Sequence, residues 1–216
     1  MSEWMDDAVE GYLTDLAAAE HGDPVLDDME ARAREHRFPI IGRATGRYLE
    51  MAARSIGARR VMELGSGYGY SAYWFARAVG PTGEVVCTDG DAGNAALAEE
   101  YLRRAGAWDR IRYRVGDALT GFAAETGEFD VVYCDVDKEG YPDCWRAARE
   151  RIRVGGVWLC DNVIWSGRVA TGGDPPDERG TTAAIREHNR LVAEDDRYVG
   201  SIVPIRDGVM AALRVA

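Results

Sequence analysis

Lysine is nearly absent. Of the 26 basic residues in this 216-residue chain, 25 are arginine and one, Lys138, is lysine. Long apolar runs are missing too: stretches such as Val157-Trp158-Leu159-Cys160 have strand length, far short of the roughly 20 residues needed to cross a bilayer. The acidic start, Met1 to Asp7, has neither the basic residues nor the apolar stretch of a signal peptide, so the expected location is the cytoplasm. Cys87, Cys134, Cys144 and Cys160 form no CxxC pair, and three lie in or beside apolar strand-like runs. Buried reduced thiols are therefore expected rather than disulfides or zinc ligands. With no repeat, low-complexity segment or Pro/Gly/Ser linker, the chain reads as one domain.

What is present suits a folded core. Hydrophobic residues make up 46% and charged residues 29%, and a chain of this length can bury roughly 70% of its unfolded surface. The net charge of −11 repels phosphate backbones, which disfavours nucleic acid as a partner.

Residues 3–37 read as two polar helices separated by His21-Gly22-Asp23-Pro24, with Asp23 as cap and Pro24 as first helical residue. A third helix is expected from Arg43 to Ile56, stopped by Gly57. Strand-like runs at 59–64, 84–89, 111–115, 129–135 and 156–161 then alternate with helical stretches at 70–79, 92–105, 118–125 and 139–152. That alternation predicts an α/β fold, a parallel sheet with helices on both faces. After a helix at 178–194, runs 198–205 and 208–215 flank Arg206-Asp207-Gly208, a hairpin-type turn, so an antiparallel pair closes the sheet.

The first strand leads into Glu63-Leu64-Gly65-Ser66-Gly67-Tyr68-Gly69-Tyr70-Ser71. Its glycines let a ligand approach the backbone and leave amide N–H groups free at a helix start. The spacing is G-x-G-x-G rather than the dinucleotide G-x-G-x-x-G, and the acid Glu63 at the strand end opposes a pyrophosphate but tolerates an ammonium group. These two features argue against an NAD-dependent dehydrogenase. Asp89, ending the second strand, is placed to take both hydroxyls of a ribose, and Gly116-Asp117-Ala118 follows the third strand, beside the expected adenine. An adenosine with a cationic amino-acid tail fits this set, which points to S-adenosylmethionine.

A second cluster lies at the ends of the fourth and fifth strands, Asp135-Val136-Asp137-Lys138 and Asp161-Asn162. Two carboxylates and an amide oxygen without nearby His or Cys are hard ligands, suited to Mg²⁺ or another divalent cation such as Ca²⁺ or Mn²⁺. Such a cation favours ionisation of a chelated hydroxyl. Lys138 can act as a base if its site lowers its pKa, a role closed to arginine. Taken singly, each of these acids also reads as an ordinary strand-end residue.

Together these residues resemble the cation-dependent O-methyltransferases, the group of catechol and caffeoyl-CoA O-methyltransferases. The shared stretches are ELGSGYGYS, CTDGD, GDA, FDVVYCDVDK with Gly140-Tyr141, the RVGG turn, DNVIWSGRV and PIRDGV, from about residue 38 to the C-terminus. The resemblance implies a Rossmann-like methyltransferase fold, a seven-stranded mostly parallel sheet with an antiparallel last strand. Residues 1–42 would form a helical lid and 43–216 the core. It implies a metal held by Asp135, Asp161 and Asn162, and Lys138 as base. Cofactor contacts would come from Ile41, Glu63, Gly65, Ser66, Gly67, Ser71, Asp89, Ala118 and Asp137, and a substrate contact from Ser166. Relatives are often homodimers. Two departures stand out: Phe38-Pro39-Ile40-Ile41-Gly42 lacks the usual methionine and P-E-x-G pattern, and Pro204-Ile205 precedes the Asp-Gly turn where the mammalian catechol enzyme carries a glutamate.

The expected activity is methyl transfer from S-adenosylmethionine to a hydroxyl of a small catechol-like or other chelating diol. Two alternatives stand beside it, methylation of a modified tRNA base, which the acidic charge opposes, and a non-catalytic nucleotide-binding module, which the oxygen cluster opposes. The substrate pocket is expected to draw on loop 166–178 and the N-terminal helices. Trp165, Tyr141 and Trp145 are aromatic candidates for it, with a core role as the default for each.

Overall fold

A computed structural model describes residues 7–18, 22–174 and 180–216. Part of the expected lid (1–6 and 19–21) and part of the expected substrate loop (175–178) lie outside them.

The N-terminal helices are α1 (Asp7–Ala18), α2 (Pro24–His36) and α3 (Gly42–Ser55). The Asp23 carboxylate caps α2 by accepting the N–H groups of Val25 and Leu26 at 3.0 and 3.2 Å, and Pro24 opens the helix. The alternating region follows as β1 (Arg60–Leu64), α4 (Tyr70–Val79), β2 (Glu84–Asp89), α5 (Ala92–Arg104), β3 (Ile111–Val115), α6 (Ala118–Ala123), β4 (Phe129–Cys134), α7 (Tyr141–Ala148) and β5 (Ile152–Cys160). The chain closes with α8 (Arg168–Thr171), α9 (Thr181–Ala193), β6 (Tyr198–Val203) and β7 (Val209–Arg214).

The seven strands are ordered β3-β2-β1-β4-β5-β7-β6. Strand β7 alone is reversed: it pairs antiparallel with both β5 and β6, so β6 runs parallel to the first five strands. The expectation of a reversed last strand holds, while β6 is not reversed relative to the parallel set.

Successive strand residues face opposite sides, and this divides the core. Val61, Val85, Val131 and Leu159 face α2–α5, whereas Met62, Val86, Val132 and Trp158 face α6, α7 and α9. On the second face Trp145 and Trp158 meet edge-to-face at 5.5 Å, a pair worth about 0.5–1.5 kcal/mol beyond its buried area. Trp158 Nε1 donates to His188 Nε2 at 3.1 Å, which satisfies an indole N–H that would otherwise be buried bare.

The stretch expected as a helix over 139–152 divides. A short 3₁₀ turn spans Lys138–Gly140, α7 ends at Ala148, and β5 starts at Ile152. Ile152 is drawn into the sheet by pairing with Phe129, and the surplus residues are absorbed by a register shift between Phe129 and Val131. Gly155 sits at φ +78° within that irregularity. The Arg153-Val154-Gly155-Gly156 segment is thus a bulge inside β5 and not a turn before it.

Because β1 connects to β2 and β3 on one side while β4 and β5 lie on the other, the strand order reverses between β1 and β4. Their carboxyl ends diverge there and leave a crevice, the usual ligand position in such sheets.

Candidate active site

A cavity of about 880 Å³ opens at the carboxyl ends of β1, β2, β4 and β5. The glycine loop forms one wall. Gly65 and Ser66 donate their N–H groups to Thr88 O at 3.1 and 2.9 Å, tying the loop to β2. Gly65 is at φ +82°, and a Cβ there would lie 2.5 Å from the backbone oxygen of Asp135. Only glycine permits the loop to pass so close to the end of β4.

Asp89 points across this wall. One carboxylate oxygen accepts Gly67 N–H at 2.9 Å, and the other accepts Asp91 N–H at 2.9 Å and Asn94 Nδ2 at 3.0 Å. Three donors fix its direction. Ile41, Ser66 and Ser71 are buried in the cavity wall, and Ala118 reaches it from the start of α6, where Asp117 caps the helix through Thr120 N–H at 2.7 Å.

Glu63 does not line the cavity. It is fully buried behind the loop, and neither carboxylate oxygen has a hydrogen bond of good geometry. Burial pushes its pKa up to about 7, opposed by the neighbouring Ser71, Ser66 and Cys87 side chains.

The oxygen cluster forms the opposite wall. Cys134 and Cys160 are register partners on β4 and β5, so Asp135 and Asp161 emerge side by side, and Asp161 N–H donates to Cys134 O at 3.2 Å. Asn162, at φ +54°, turns its amide back toward them. The Lys138 ammonium stands between the two strand ends, 2.9 Å from Asp135 Oδ1 and 2.8 Å from Asn162 Oδ1.

Electrostatics follow from crowding. Asp161 is pushed above the usual carboxylate range by burial and by the charge of Asp135. For Lys138, burial works to lower the pKa, but the attraction and hydrogen bond of Asp135 outweigh it, so the net shift is upward. The expected lowering at Lys138 is absent in the chain by itself, because a partnered ammonium is stabilised.

Asp135, Asp137, Asp161, Asn162 and Lys138 all line the cavity, Asp137 from an exposed position. Among the described residues no three His, Cys, Asp or Glu side chains converge on a point; the third donor of this corner is the Asn162 amide. Ser166 is exposed and outside the cavity wall, with its N–H donating to Asp207 Oδ1 at 2.5 Å. The neighbouring Trp165 lines the wall in its place, and its buried indole N–H has no partner. Tyr141 and Trp145 are core residues, Tyr141 donating to Asp161 O at 2.8 Å. Arg206, Phe38 and Thr181 also line the cavity. Their local sequence does not mark them as contacts, because they arrive from segments distant in the chain.

The model of a protein family described as O-methyltransferase matches residues 18–215. A catechol O-methyltransferase of Mycobacterium tuberculosis is 35% identical over 184 residues, covering 82% of this chain and 84% of that protein. A caffeoyl-CoA O-methyltransferase of Eucalyptus gunnii is 26% identical, covering 97% and 88%. Among solved structures, the O-methyltransferase TomG of Streptomyces achromogenes, in complex with SAM, superposes with a TM-score of 0.85 at 28% identity, with both chains covered completely.

Proposed function

The chain belongs to the O-methyltransferase family, and from that premise we propose that it transfers the methyl group of S-adenosylmethionine to a hydroxyl of a small chelating diol with the help of a divalent cation. The observation that carries the proposal is the convergence of Asp135, Asp161, Asn162 and Lys138 on the cavity that the glycine loop and Asp89 also line.

The residues suit both groups. Asp89, with its carboxylate turned across the loop, would take the ribose hydroxyls; Gly65, Ser66, Gly67 and Ser71 would surround the amino-acid end, Glu63 would favour its ammonium from behind, and Ile41, Ala118 and Asp137 would complete the contacts. Asp135, Asp161 and Asn162 would hold Mg²⁺ or a similar cation. Their suitability for positive charge is visible in the Lys138 ammonium, which already bridges two of the three. When bound, the cation would lower the pKa of a chelated hydroxyl, and the sulfonium cofactor would present an electrophilic methyl group.

The chain's own part is positioning and proton handling. Packed between the ends of β4 and β5, the corner fixes the acceptor oxygen relative to the glycine loop, and such pre-organisation supplies several kcal/mol. Lys138, the single lysine of the chain, is the proposed base. Trp165 offers an aromatic surface beside the acceptor. We also propose that the chain forms a homodimer, which light scattering reads.

Methyl transfer to a panel of catechols, with Mg²⁺ and with EDTA, tests the reading. Activity confined to the Mg²⁺ arm is expected. Equal rates in both arms remove the metal role, and no transfer to any diol removes the substrate class.

A further inference from the structure

Arg206 is a cation that the proposed chemistry leaves unused. It belongs to the loop 204–208 between β6 and β7, which is bound to the residues following Asn162. Val163 N–H donates to Gly208 O at 3.1 Å, Ile164 N–H to Asp207 O at 2.8 Å, and Ser166 N–H to the Asp207 carboxylate at 2.5 Å. These bonds hold the Arg206 backbone beside the Asp161–Asn162 corner. The conformation is an uncomfortable one for a side chain, at φ +50°, where residues other than glycine and asparagine are disfavoured. A large charged residue at such a position calls for a reason.

Its side chain spans the mouth of the site. Nη1 donates to Ile40 O at 2.8 Å, on the segment that leads into α3. Arg206 lines the large cavity with Asp161, Asn162 and Trp165, and it also lines an adjoining cavity of about 460 Å³ with Phe38, Arg34 and Glu30, the last of which is paired with Arg43. Among the described residues one of a guanidinium's five N–H donors is engaged and no carboxylate lies within ion-pair distance, although the Arg206 charge is felt from further away by Asp161. Lys138, the other cation on the large cavity, is by contrast paired with Asp135.

The geometry points to an acceptor that carries a carboxylate, bound by Arg206 while its diol occupies the Asp135–Asp161–Asn162 corner. The planar guanidinium fork matches a carboxylate with two parallel hydrogen bonds. A neutral group of the same shape forfeits the charge-assisted part. This rests on the diol reading above and narrows it to anionic acceptors.

The test compares 3,4-dihydroxybenzoate with its neutral isostere 3,4-dihydroxybenzamide, measuring kcat/KM in saturating S-adenosylmethionine and Mg²⁺. The wild type is expected to prefer the acid by about tenfold or more, chiefly through KM. Arg206→Gly removes the guanidinium and suits the positive φ, so the fold is kept; in it the preference should collapse to within about twofold. Arg206→Lys should retain part of it. Equal efficiency on the two compounds in the wild type, or an acid preference that survives in Arg206→Gly, overturns the inference and leaves the diol reading intact. Methyl transfer to neither compound overturns the inference, and the catechol panel then decides the diol reading separately.

Discussion

The Lys138 ammonium lies 2.8 Å from the Asn162 amide oxygen and thereby joins the ends of two neighbouring strands. Asn162 is directed at the same corner as Asp135 and Asp161, so one amine and one amide share the donor set assigned above to a cation. Replacing Lys138 by methionine should lower kcat by about a hundredfold or more, within the range for loss of a general base. S-adenosylmethionine affinity, measured by calorimetry, should change little. A kcat within threefold of wild type would remove Lys138 from proton transfer.

Asp161 is almost wholly buried, 2% exposed, so its removal alters chemistry more than surface. Asp161→Asn should weaken Mg²⁺ binding at least about tenfold and reduce methyl transfer correspondingly. Isothermal titration with Mg²⁺ reads the first effect without reliance on turnover. Unaltered Mg²⁺ affinity would displace the cation from this corner.

Gly65→Ala sets a Cβ 2.5 Å from a backbone oxygen at a φ of +82°. Backbone cannot retreat as a side chain can, so the loop must shift. A loss of roughly 1–3 kcal/mol is expected, together with weaker cofactor binding. Thermal unfolding with and without S-adenosylhomocysteine separates the two effects, and a Tm equal to wild type would contradict the close approach.

Burial lowers the His188 pKa from 6.5 to about 4. Between those values the unfolded chain binds more protons, so stability rises with pH and is lost on acidification, by roughly 3 kcal/mol at most. His188 is packed among Trp158, Tyr141 and Asn189, with no carboxylate contact among the described residues to offset the burial. Urea unfolding of a His188→Gln variant should show a shallower loss of stability from pH 6.5 to 4.

Glu63 acts in the opposite sense. Its folded pKa of about 7 exceeds the unfolded 4.5, so the folded state holds the extra proton and stability declines as pH rises through that interval, again by roughly 3 kcal/mol at most. Glu63→Gln should therefore be more stable than wild type at pH 8 and little different at pH 4. The same variant should bind S-adenosylmethionine less well if the ammonium is favoured by this charge. Equal stability at pH 8 would contradict the burial cost.

Much of this architecture was legible from local pattern. Strand-length apolar runs, the G-x-G-x-G loop and the Asp23-Pro24 start of α2 each carry a short-range signal, and the structure agrees with them. Other features depend on partners far away in sequence. Ile152 reads as the end of a helix until Phe129 is beside it, and Gly155-Gly156 reads as a turn until the sheet continues through it. Arg206 reads locally as a turn residue; its place at the cavity depends on Ile40, which meets it only in the fold. Glu63 and Asp89 look equivalent as strand-end acids, yet one is sealed behind the loop and the other is presented on its surface. Ser166 and Trp165 are adjacent, and local sequence does not show which side chain faces inward: the indole, not the hydroxyl, lines the cavity.

The reversal of β7 has a practical outcome. Running opposite to its neighbours, it carries the chain away from the cavity, and Val215 N–H donates to Arg197 O, just ahead of the start of β6. Ala216 therefore departs from the rim opposite the cavity mouth. A reporter or surface tether attached at Ala216 would therefore leave the entrance unobstructed and substrate access preserved.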